Sequence, residues 1–192
     1  MEYIKWRSEA VEKTIALVRS KKHYLDNRTA AEFCLLQLRF CCELLAVGCV
    51  AIHTDIARGA RLQSEWNAES IMKQFDTLKP AFFPTPVKSV QQPDGSFDQV
   101  SISGALTKAE LLKMYGLFGR LLHTGSYKSY KKARTETFDF SLLVNFLSKL
   151  KRLLNEHTYL LHEEDLMIRV IMHNEKDGRV LLQELRAVRT PT

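Results

Sequence analysis

The sequence predicts a mainly α-helical bundle of about five helices, closed by a C-terminal antiparallel β-hairpin or three-stranded meander. Three observations carry this. Apolar residues recur at three- and four-residue steps through most of the first 157 positions. Two Thr-x-x-Glu runs have the form of capping boxes, in which a threonine hydroxyl and a glutamate satisfy each other's backbone N–H groups at a helix start. Beyond position 157 the helical period gives way to short apolar runs around Asn174-Glu175-Lys176-Asp177-Gly178, a hairpin signal with glycine where a positive φ is wanted. With 192 residues, 45% hydrophobic and 26% charged, the chain suits one domain, 1–192, with the bundle over 1–157 and the β element over 158–188.

The first helix is expected from Glu2 to Leu25, with Ile4, Val11, Ile15 and Val18 on its apolar stripe. Asp26, Asn27 and Arg28 break it. Thr29-Ala30-Ala31-Glu32 then opens the helix around which the chain is organised, EFCLLQLRFCCELLAVGCVAIH, residues 32–53, continuing towards Ala57. It is apolar nearly all round, so other elements must enclose it. Arg39 and Glu43 stand one turn apart in this greasy stretch as an i,i+4 pair. Some 20 apolar residues can span a bilayer. Each central charge, however, costs roughly 2.5–3.5 kcal/mol there, so a buried helix and no membrane are expected. The N-terminus alternates charged and apolar residues and lacks a secretory h-region, which points to the cytoplasm.

Cys34, Cys41, Cys42 and Cys49 all lie on this helix. Their rigid separation suits neither a disulfide nor a four-ligand zinc site, so they read as small apolar core residues.

A third helix is expected from Ser64 or Asn67 to Leu78, stopped by Pro80. The stretch from Pro80 to Leu106 lacks helical periodicity and reads as an extended arm with a turn at Pro93-Asp94-Gly95. Phe82 and Phe83 either anchor that arm on the bundle or meet a partner; anchoring is the simpler use. Thr107-Lys108-Ala109-Glu110 starts a fourth helix ending at His123. The last long helix is expected over Phe138 to His157, with Leu142, Phe146, Leu150 and Leu153 buried, and Thr158 to Leu161 as a third strand.

The chemistry concentrates in one stretch. Residues 120–134 hold Arg120, Lys128, Lys131, Lys132 and Arg134 and no carboxylate, so this +5 segment nearly accounts for the chain's +6. Tyr127 and Tyr130 interleave with the lysines, the pattern that neutralises phosphates and stacks bases. The simpler alternative is a solvated lysine-rich loop. Arg120 and His123 are three apart on a helix and can reach one spot. An imidazole that exchanges protons near neutrality, beside a guanidinium that grips a phosphate oxygen, suits cleavage of RNA. The alternative for His123 is a cation placed favourably at a helix C-terminus. No phosphate-binding glycine loop, zinc-protease motif or paired CxxC is present, and no metal or cofactor is expected.

LRFCCELL, residues 38–45, resembles a helix of type LRxxxE found in many HEPN-superfamily domains, and GRLLHTGSY, residues 119–127, resembles the later helix end where that superfamily keeps a polar residue or arginine ahead of a histidine. The order of helices, the FFPTPV arm and the MIRVIMHNEKDGRV hairpin also resemble a group of bacterial proteins to which no activity attaches. The HEPN resemblance implies a helical bundle, frequent homodimers and, in active branches, metal-independent endoribonucleases of toxin–antitoxin or phage-defence systems. It casts His123 as acid/base and Arg120 as phosphate clamp, with Glu43 and Arg39 orienting the site. The active pattern separates Arg and His by four to six residues, whereas two stand between Arg120 and His123. The expected partners are RNA, an antitoxin or other protein, and a second copy; the competing expectation is a non-catalytic protein-interaction module.

Overall fold

The computed structural model describes residues 1–21, 26–59, 62–123, 138–161 and 166–186. Among them are six α-helices and a five-stranded antiparallel sheet: α1 (Glu2–Arg19), α2 (Asn27–Ile52), α3 (Thr54–Gly59), α4 (Ala68–Leu78), β1 (Thr85–Gln91), β2 (Phe97–Ser101), α5 (Lys108–Leu122), α6 (Ser141–Asn155), β3 (Glu156–Leu160), β4 (Leu166–Ile171) and β5 (Leu181–Arg186). The chain is mainly helical, as its periodicity implies, but it is a mixed α/β fold with a sheet larger than a hairpin or meander.

The extra strands come from the stretch read as an extended arm with a turn. Thr85–Gln91 and Phe97–Ser101 pair antiparallel around a turn in which Gly95 takes φ +85°. Proline is tolerated there because Pro86 sits where β1 has only a two-residue pairing with β3, Thr85 to Thr158 and Pro86 to His157. The strand order is β2-β1-β3-β4-β5. The expected third strand and hairpin are β3, β4 and β5, with Gly178 at φ +69° in the turn.

Local chemistry sets several boundaries differently from the sequence reading. The α2 cap is Asp26, whose carboxylate accepts from the Arg28 and Thr29 N–H groups, so Thr29 lies inside the helix instead of capping it. Glu32 instead pairs with Arg28. α1 ends at Arg19 rather than Leu25. Asn67 caps α4 by accepting from the Ser70 N–H, and the Thr107–Glu110 capping box forms as expected. On α6, Leu143 is buried and Leu142 faces outward.

α2 lies in the middle of the helical layer, against α1, α4 and α5, with Leu35, Leu38, Leu45 and all four cysteines fully enclosed. The cysteines are free, and burial raises each thiol pKa far above neutrality. By length and composition α2 is the one helix among the described residues that could cross a membrane, and half of its most apolar stretch is buried. The sheet closes the far side of α2: the Tyr159 ring meets His53 edge-on, and its hydroxyl lies 4.0 Å from where a Cβ on Gly48 would sit. Phe82 is completely buried and stacked on Phe75 at 4.9 Å, so it anchors the arm.

Candidate functional site

Arg39 and Glu43 sit side by side on α2, Nε to Oε1 3.3 Å, with side chains 23% and 16% exposed. They meet α5. The Arg39 Nη2 donates to the Tyr115 hydroxyl at 2.8 Å, and that hydroxyl donates to the Glu43 Oε1 at 3.1 Å, closing a triangle across the two helices. The guanidinium also lies over the Tyr115 ring, 4.1 Å from its centre. Burial, then the neighbouring Glu43 carboxylate, pushes the Tyr115 hydroxyl up to about 12, so the phenol keeps its proton at neutral pH.

A glycine makes this approach possible. A Cβ on Gly119 would fall 2.5 Å from the Arg39 Nη1, which instead reaches the Tyr115 carbonyl oxygen at 3.4 Å. Tyr115, Gly119 and His123 follow one another at i,i+4 on α5 and therefore share a row. The His123 backbone thus lies about 6 Å along the axis from the glycine that Arg39 covers. His123 is exposed and caps the helix, its N–H donating to the Gly119 carbonyl. Arg120 is also exposed, and its Nη1 lies 3.9 Å from where a Cβ on Gly116 would sit. Gly116 and Gly119 thus let the Arg39 and Arg120 guanidinium groups lie directly against the α5 backbone.

The structure therefore brings Arg39 and Glu43 together and sets them on the side of α5 whose row continues to His123. Tyr127, Lys128, Tyr130, Lys131, Lys132 and Arg134 lie outside the described residues. Sequence reading missed Tyr115 and Gly119, although the Tyr115–Gly119–His123 spacing was available as the signal. Among the described residues, no group of three or more His, Cys, Asp or Glu side chains is arranged to hold a metal ion.

The two glycines make different demands. Gly116→Ala replaces an open helical glycine with a better helix former and is expected to raise stability by about 0.5–1 kcal/mol. In Gly119→Ala the displaced guanidinium offsets that gain. Urea denaturation of the two variants checks the difference; an equal gain in both would mean that Arg39 does not depend on the bare backbone.

A second buried polar group lies on the opposite face of the sheet. The Arg169 Nε donates to the Glu156 Oε1 at 2.7 Å, its Nη1 to the Gln183 Oε1 at 2.9 Å, and the Ser89 N–H reaches the Glu156 carboxylate. Burial raises the Glu156 pKa, but the hydrogen bonds from Ser89 and Arg169 outweigh it and hold the carboxyl below its ordinary value. Phe97 of β2 covers the guanidinium. With its charges matched and shielded, this pair ties the β1–β2 hairpin to β3 and β4. Comparison of the chain with family models, curated proteins and solved structures yields no match.

Proposed function

We propose that the chain is a cytoplasmic RNA-binding module of HEPN type that cleaves RNA without a metal, in a toxin–antitoxin or phage-defence setting. The observation that carries this reading is the pair of side chains, Arg39 and Arg120, that lie against the Gly119 and Gly116 backbone of α5, the helix that ends at His123. A phosphodiester lying over them finds two cationic donors. His123 takes the proton of the ribose 2′-hydroxyl as that oxygen attacks phosphorus. The P–O5′ bond breaks, leaving a 2′,3′-cyclic phosphate, and the imidazolium returns the proton to the departing 5′-oxygen. Arg120 holds a non-bridging oxygen, and the Glu43–Tyr115 pair fixes the direction of the Arg39 guanidinium. Tyr127, Lys128, Tyr130, Lys131, Lys132 and Arg134 supply the wider RNA contact.

His123→Ala is expected to lower cleavage of a single-stranded RNA by at least about a hundredfold while leaving binding and thermal unfolding intact. RNA affinity is expected to fall steeply between low and physiological salt. Failure to bind or cut RNA at low salt would sink the reading.

One observation favours the other class, a protein-interaction module. Phe33, Leu36 and Val47 of α2 are each more than a third exposed, as are Tyr3 and Trp6 of α1. In that reading the apolar stripe takes a second copy or an antitoxin. In that reading the chain cuts no RNA, and Leu36→Glu abolishes association in sedimentation while leaving the circular dichroism spectrum unchanged.

A further inference from the structure

A cleft of about 660 Å³ opens between α1 and α6, away from the α2–α5 contact. Its volume is that of a small-molecule site. Its apolar floor is aliphatic: Ile15 of α1, Val144 and Leu147 of α6, and Ile102 just after β2. Among the described residues no aromatic ring lines it. The rim is basic. Glu12 and Lys151 neutralise one another at 2.7 Å across the cleft, tying α1 to α6 at one end. Arg19 stands seven residues, about 10 Å, further along α1, and Arg152 borders the α6 side. Among the described residues neither arginine has an ion-pair partner. The Arg152 guanidinium lies against Gly104, where a Cβ would fall 3.0 Å from Nη1 and where φ is +72°. The cleft thus joins a methylene-lined floor to two uncommitted guanidinium groups.

We infer that this cleft binds a free alkyl-chain anion, a carboxylate or phosphate monoester whose head is gripped by Arg152 and Arg19 and whose chain lies on Ile15, Ile102, Val144 and Leu147. Charge complementarity excludes an alkyl cation, and the aliphatic lining selects a flexible chain over a planar ring. This site is independent of the RNA reading: among the described residues it is lined by α1, α6 and Ile102, and no residue of α5 lines it.

Titration calorimetry of the full chain with octanoate, decanoate and dodecanoate below their micellar concentrations tests it. Affinity should rise roughly tenfold for each two methylenes added. Decylamine should not bind. Arg152→Gln and Arg19→Gln should each weaken dodecanoate roughly tenfold. Ala16→Glu, which places a carboxylate on an exposed helical position lining the cleft, should remove binding while leaving the circular dichroism spectrum unchanged. Affinity independent of chain length, equal binding of decylamine, or full retention in Ala16→Glu would overturn the inference. So would attachment to phosphatidylglycerol vesicles without binding of the free anion, which would assign the same chemistry to a bilayer surface.

Discussion

Between pH 6.5 and 4 the chain is expected to lose about 3 kcal/mol of stability that His157→Phe does not lose. His157 is fully buried on the α2-facing side of β3, its ring edge-on to Tyr159 at 5.3 Å. The Nδ1–H donates to the Leu154 carbonyl at 3.2 Å, while Nε2 has no protein partner among the described residues. Burial lowers the folded-state pKa to about 4, although the Leu154 carbonyl acts in the opposite direction. Above about 6.5 both states are neutral and the term is constant. Below it the unfolded chain takes up a proton that the folded chain refuses, so stability falls until the folded pKa is reached. His53, lowered by burial in the same way, adds to the slope with the same sign. Carboxylates contribute to acid unfolding in both proteins, so the measurement is the difference between wild-type and His157→Phe urea midpoints across that range. Parallel curves would mean that His157 is charged in the folded state.

Tyr115→Ala is expected to cost about 3–5 kcal/mol, and Tyr115→Phe about 1–2 kcal/mol. The ring is 3% exposed within the α5 side of the core, so truncation removes packing and leaves a cavity. The phenylalanine variant keeps that packing and removes only the hydroxyl. Arg39 Nη2 then loses its acceptor and Glu43 one donor, in a setting only partly wet. Chemical denaturation of the two variants, with Arg39→Leu and the double variant completing a cycle, separates the two terms. A neutral Tyr115→Phe would make the triangle incidental. A coupling between Tyr115 and Arg39 above about 0.5 kcal/mol would make the two helices one unit at this point.

Much of the helical layer is legible in residue order because its causes are local. The Thr107–Glu110 box, the Ile4–Val11–Ile15 stripe and the run of leucines in α6 act within a turn or two of themselves. The start of α2 was misplaced because two side chains of similar capping strength, Asp26 and Thr29, compete there. The β1–β2 hairpin was missed because its prolines obscured the alternation from Val87 to Val90 and from Phe97 to Val100. Its cohesion comes in part from partners far along the chain: Glu156 accepts from Ser89, and Arg169 lies under Phe97.

The candidate site divides in the same way. Spacing alone gave that Arg39 adjoins Glu43, since a helix turns by about 100° per residue whatever surrounds it, and it put Arg120 and His123 within one turn at the end of α5. That the first pair faces the helix bearing the second, through a tyrosine and a missing Cβ, depended on how α2 and α5 pack. No local rule carries that information, because the groups concerned are more than seventy positions apart and meet only when the core excludes water around them.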